Sequence, residues 1–78
     1  MTPDEKLMLK LYELAMKEGD PHTPVEAMQA ARAIGVKETA LKNIIKHLAQ
    51  ANLVKKIDDT TVYLTTRGCD FALEMQGL

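Results

Sequence analysis

Leu53-Val54-Lys55-Lys56-Ile57-Asp58-Asp59-Thr60-Thr61-Val62-Tyr63-Leu64-Thr65-Thr66-Arg67-Gly68 is the stretch on which the reading of this chain turns. Two short runs rich in β-branched and aliphatic residues flank Asp58-Asp59-Thr60-Thr61, a cluster of turn formers. The pattern predicts a hairpin, with one strand over Leu53–Ile57 and the other over Val62–Thr65. Alternation turns Val62 and Leu64 toward a core and sends Lys55 and Lys56 to opposite faces. Thr65 is suited to cap a last helix that runs to about Gln76. Cys69, Ala72, Leu73 and Gln76 form its expected inner face.

Upstream of the hairpin the period changes from two to 3.6. Leu41, Ile44, Ile45 and Leu48 recur at i, i+3, i+4 and i+7, which predicts a helix over about Lys37–Ala51 with those four facing inward. Lys37, Thr39, Lys42, Asn43, Lys46 and Gln50 fall on its outer face. Asn52 follows, and Asn is the residue after Gly that best tolerates a left-handed helix exit. Before this helix, Ile34-Gly35-Val36 reads as a tight turn, with Gly35 supplying a positive φ. Thr23-Pro24-Val25-Glu26 reads as a helix start with a capping box, opening an Ala-rich helix to about Ala33. Val25, Met28, Ala31 and Ile34 are its expected inner face. The same start signal occurs at Thr2-Pro3-Asp4-Glu5, so the first helix runs to about Glu18 and stops at Gly19. Its apolar residues cover an arc of roughly 220°, wider than one core face ordinarily needs.

At 78 residues the chain fits one domain with a single modest core, spanning residues 1–78. Its hydrophobic fraction of 46% is that of a globular protein rather than a disordered one. No apolar run approaches the roughly 18 residues that a membrane span needs. The polar, acidic start argues against a signal peptide, so a soluble, cytoplasmic protein with no membrane partner is expected. Cys69 is the single cysteine, which excludes an intrachain disulfide and a cysteine-based zinc site. A buried, inert thiol is the expected state. The net charge of −1 conceals an asymmetry. Residues 28–56 hold five Lys, one Arg and one acid, for +5, while the segments on either side carry −3 each. No His or carboxylate pair has metal-ligand spacing. Nothing pairs a nucleophile with a base, and no Gly loop is built to cradle phosphate, so neither an enzyme nor a cofactor is expected.

The order of elements resembles the winged helix-turn-helix of small prokaryotic transcription regulators. In groups similar to MarR and PadR proteins, the second wing strand ends in Leu-Thr-x-x-Gly and opens the last helix. Leu64, Thr65 and Gly68 stand at those positions here, and the resemblance covers nearly the whole chain. It implies a mainly α fold with a small β-hairpin, ordered α-α-α-β-β-α. It also implies double-stranded DNA as partner, with the third helix (about 37–51) as reader in transcription regulation. A helix fits the major groove, and its outer side chains reach base edges. Lys37, Lys42 and Lys46 suit phosphates or guanine, Asn43 suits adenine, and Thr39 suits a thymine methyl. Lys55 and Arg67 complete the expected DNA-binding set.

Two residue choices depart from that pattern. Lys37 stands where Ser or Thr commonly caps the reading helix, and it has no acceptor to offer the helix amides. The wing tip is Asp58-Asp59, and two carboxylates are repelled by phosphate. The alternative they raise is a winged-helix module that binds a protein partner and no nucleic acid. Leu9, Tyr12, Met16, Phe71 and Met75 lie outside the simplest inner stripes. They form the expected homodimer interface, on the first and last helices.

Overall fold

The computed structural model describes residues 1–77. The order is α1 (Pro3–Lys17), β1 (Val25–Glu26), α2 (Ala27–Ile34), α3 (Glu38–Gln50), β2 (Val54–Lys56), β3 (Thr61–Leu64) and α4 (Thr66–Gln76). The fold is mainly helical with a small three-stranded antiparallel sheet, ordered β1-β3-β2.

The first start signal forms as its sequence predicts. Thr2 Oγ1 accepts from the Glu5 amide at 3.2 Å, and Glu5 Oε1 accepts from the Thr2 amide at 2.8 Å, closing a capping box. Gly19 ends the helix at φ +91°. The second start signal does not form, and this corrects the expected α-α-α-β-β-α order. The Thr23 hydroxyl is used as a donor to the Asp20 carbonyl at 2.7 Å, so it caps nothing. Val25 and Glu26 instead pair with Val62 and Thr61 as a short edge strand. Pro24 is compatible with either outcome, because proline suits a strand start as well as a helix start. The central strand β3 has two edges to satisfy, and Val25 gains burial by covering one. Helix α2 then starts three residues later than expected, at Ala27, with Glu26 Oε1 accepting from the Met28 amide at 3.3 Å.

That shift rotates the inner face of α2. Ala27, Ala30 and Ala31 are buried, while Met28 and Ile34 are half-buried at its sides. Three alanines let α1 approach closely. Helix α1 is the hub of the domain, packed against α2 and α4 and touching the sheet and α3. Its wide apolar arc is therefore largely spent inside the chain. On α4 the buried stripe is Gly68, Cys69, Ala72 and Met75. Met75 is 6% exposed and belongs to the core, so it leaves the expected dimer interface. Leu73, expected inside, is 50% exposed, and Gln76 is exposed too. The stripe is set by Gly68, where α4 comes closest to the rest of the chain. A residue with no side chain is easily left out of an apolar count.

Helix α3 buries Leu41, Ile44, Ile45 and Leu48 as expected, in the same core cluster as Leu53, Val54, Val62 and Leu64. Both ends of the helix pairs close with the same device. Gly35 (φ +76°) ends α2, with the Val36 amide donating to the Ala31 carbonyl at 2.9 Å. Asn52 (φ +62°) ends α3, with the Leu53 amide on the Leu48 carbonyl at 2.9 Å and the Asn52 amide on the Ala49 carbonyl at 3.0 Å. Both are Schellman closures, which satisfy carbonyls the helix leaves open. Asn52→Ala should cost about 1 kcal/mol, from the steric penalty of a β-carbon at positive φ without an Asn side chain to offset it. Asn52→Gly should match or exceed the parent in urea denaturation. Equal losses in the two variants would show that φ is not the reason Asn stands there.

Candidate nucleic-acid interface

Helix α3 presents a continuous polar stripe. At 100° per residue, Thr39, Asn43, Lys46 and Gln50 centre on the side opposite the buried face, and all four are exposed. Lys42 lies to one side of that stripe and His47 to the other. Lys37 is the N-cap, exposed, with no side-chain bond to the helix amides. That leaves the first turn of α3 uncapped, as its sequence predicts.

The hairpin places its two lysines on different faces. Lys56 pairs in register with Val62, on the face that Val54 and Leu64 turn toward the core. At the strand end this brings Lys56 beside Lys42, Ile45 and Asp59, around a pocket of about 160 Å³. Lys55 pairs with Tyr63 and lines a shallow groove of about 500 Å³ on the other face, with His22, Pro24 and Ile57. Lys56, and not Lys55, is therefore the hairpin cation that joins α3. The signal was legible in the strand itself, since Val54 and Lys56 are two residues apart and share a face. Arg67 lies elsewhere again, against Ala51, Leu53, Asp70, Phe71 and Glu74. The expected set thus divides into a group around α3 and two outliers.

The two aspartates of the β2–β3 turn do different work. Asp58 Oδ1 accepts from the Thr60 amide at 3.0 Å and the Thr61 amide at 2.8 Å, folding the turn onto itself. These bonds, the Thr60 amide foremost, hold the Asp58 carboxyl below its ordinary value near 3.8. A depressed folded pKa contributes stability that is present above the unfolded value and lost as pH falls through the lower folded one. A carboxyl-detected NMR titration should place the Asp58 midpoint below 3.8, and Asp58→Ala should remove protection from exchange at the Thr60 and Thr61 amides. A midpoint at or above the free value would mean that the turn is not held this way. Asp59 makes no such bonds and stands at the Lys42–Lys56 pocket. Lys42 meets Glu38 one turn back at 3.9 Å, an exposed pair of small energetic weight.

His22 has a structural part that its sequence position did not suggest. Its Nδ1 donates to the Leu64 carbonyl at 2.7 Å, continuing the β1 edge of the sheet beyond the backbone of β1. Cys69 Sγ lies 3.9 Å from the same nitrogen. Burial, then the charges of Asp70 and Asp20, push the thiol up from its ordinary value, which keeps it protonated and unreactive at neutral pH.

Of the expected dimer residues other than Met75, Leu9, Tyr12 and Phe71 are half-buried against the chain's own core, and Met16 is 43% exposed. Among the described residues no three His, Cys, Asp or Glu side chains gather as a metal site. No helix there is long and apolar enough to cross a membrane. No model of a known family, no curated protein and no solved structure matches the chain.

Proposed function

We propose that this chain is a winged helix-turn-helix that binds double-stranded DNA and acts in transcription regulation, with α3 as the reading helix. The observation that carries the reading is the outer face of α3. Thr39, Asn43, Lys46 and Gln50 are exposed together, Lys42 and Lys56 flank them on the hairpin side, and residues 28–56 hold a charge of +5. A helix with that width of polar surface fits the major groove, and the flanking ammonium groups meet the phosphates of its wall. Asn43 is the residue suited to a bidentate pair with adenine. The helix-turn-helix consists of α2, the Gly35 turn and α3, and the wing is β2, β3 and the turn between them. Binding to a fluorescent random-sequence duplex at low salt tests this directly. Absence of any measurable binding there sinks the reading.

A protein-binding role is the second reading, and the groove beneath Lys55 is what favours it. Ile57 is 55% exposed there, beside Pro24 and Tyr63. An apolar floor of this kind suits a protein surface better than a duplex. It would be promoted by failure of the duplex experiment.

The proposal includes a homodimer, on a smaller surface than the sequence suggested. Leu9, Tyr12 and Met16 share one stripe of α1, and Phe71 is the helix α4 residue left to join them. Light scattering at micromolar concentration should return about twice the chain mass of 8.7 kDa. A peak at the single-chain mass that persists on concentration would exclude the interface.

A further inference from the structure

We infer that the pocket between α3 and the wing receives a backbone phosphate of the duplex, and that Asp59 is a built-in competitor for that phosphate. The inference rests on the DNA-binding reading above and assigns an action to the acidic wing within it. Lys42, Ile45, Lys56 and Asp59 line the pocket, whose volume of about 160 Å³ is enough for a phosphate and part of its hydration. Two ammonium groups from different elements converge on it, one from the flank of α3 and one from the end of β2. The Ile45 side chain closes the inner wall. Asp59 is the carboxylate on the rim.

The turn fixes where that carboxylate stands. Asp58 is tied to the Thr60 and Thr61 amides, and the Ile57 amide donates to the Thr61 carbonyl at 2.8 Å. The backbone around Asp59 is therefore held, which keeps its exposed carboxylate on the rim of the pocket lined by the two lysines. Among the described residues, the ion pair that Lys42 makes is with Glu38 and not with Asp59. Lys42 and Lys56 present positive charge to an incoming anion, while Asp59 opposes it. At a separation of roughly 6 Å in a water-like medium, unit like charges oppose one another enough to weaken binding about threefold at low salt. The repulsion is sequence-independent, because it acts on backbone phosphate. Asp59 thus lowers affinity for every duplex alike and leaves a larger share of binding to the base-reading residue Asn43.

The test is the affinity for a random-sequence 20-base-pair duplex across a salt series, for the parent, Asp59→Asn, Lys56→Ala and Lys55→Ala. Asp59→Asn should tighten binding about threefold per subunit at 50 mM salt, and the gain should shrink as salt screens the charge. Lys56→Ala should weaken binding and shallow the salt dependence by about one unit per subunit. Lys55→Ala should do less than Lys56→Ala. Thermal melts of all four proteins control for folding, and Asn at position 59 leaves the Asp58 turn intact. Parent-like affinity of Asp59→Asn, or a larger effect at Lys55 than at Lys56, would overturn the phosphate pocket while leaving DNA binding in place. A parent that binds no duplex at the lowest salt would overturn both.

Discussion

Gly68→Ala is expected to destabilise the domain by about 3 kcal/mol, the upper end of what overpacking costs. The sign is the diagnostic part. Alanine inside a helix ordinarily gains about 1 kcal/mol over glycine, and Gly68 is inside α4. Here a β-carbon would run into the Leu53 carbonyl oxygen and stand 3.0 Å from the Leu53 carbonyl carbon and 3.3 Å from Met8 Cε. The methionine end can move, but the Leu53 peptide cannot. Its amide donates to the Leu48 carbonyl at 2.9 Å, and its carbonyl accepts the Thr65 amide at 3.1 Å. The Thr65 hydroxyl also donates to the Asn52 carbonyl at 2.7 Å and accepts the Gly68 amide at 3.0 Å. Relieving the clash means parting the end of α3, the start of β2 and the start of α4 together. A domain of this size has on the order of 4–12 kcal/mol in total, so Gly68→Val should leave little folded protein at 37 °C. Leu48→Ala, which opens a cavity in the core, belongs in the same range at roughly 2–5 kcal/mol. Urea denaturation of the three variants checks these values. A Gly68→Ala protein as stable as the parent would show that α4 can lift away from Leu53 at no cost.

Raising salt from 50 to 200 mM should lower duplex affinity by about a thousandfold. On the proposed binding mode, Lys42, Lys46 and Lys56 would give about three phosphate contacts per subunit, and a dimer would release roughly five counterions, so log affinity should fall against log salt with a slope near −5. Lys46→Ala should shallow that slope by about two units, one per subunit. Asn43→Ala should leave the slope nearly unchanged and instead cost roughly 1–3 kcal/mol of sequence preference per half-site, because its proposed role is toward a base edge. A slope that is the same in Lys46→Ala and the parent would place the cations of α3 away from the phosphates. An Asn43→Ala protein with full sequence preference would remove Asn43 as the adenine reader.

The helices and the hairpin were legible because their signals are local. The i, i+3, i+4, i+7 pattern of Leu41, Ile44, Ile45 and Leu48 has one helical interpretation, and Val62 with Leu64 has one face to bury. Thr23-Pro24-Val25-Glu26 misled because its residues satisfy two local rules, and the choice between them was made by β3, more than 30 residues away. Met75 and Leu73 exchanged places for a related reason. The orientation of α4 is set where Gly68 meets Leu53, and no periodicity within α4 carries that information. Around α3 the exposed stripe was legible, whereas the partnership of Lys42 with Lys56 depends on how the hairpin docks. Asp58 and Asp59 looked alike as a charge pair, and only hydrogen-bond geometry separates the one that shapes the turn from the one that faces the lysines.

The middle strand of the sheet is the last of the three to be synthesised. β1 pairs with β3 and β2 pairs with β3, and the two outer strands never meet. A nascent chain halted before Thr61 therefore holds α1, α2 and α3 but no strand pairing at all, with Val25 and Val54 left on unzipped backbone. Ribosomal emergence of Thr61–Leu64 is the event that closes the sheet, since one four-residue segment completes both ladders at once. Premature termination between Lys56 and Thr61 yields a product with two open strand segments in search of a template, the kind of species that quality-control proteases recognise and that joins aggregates when they fail to.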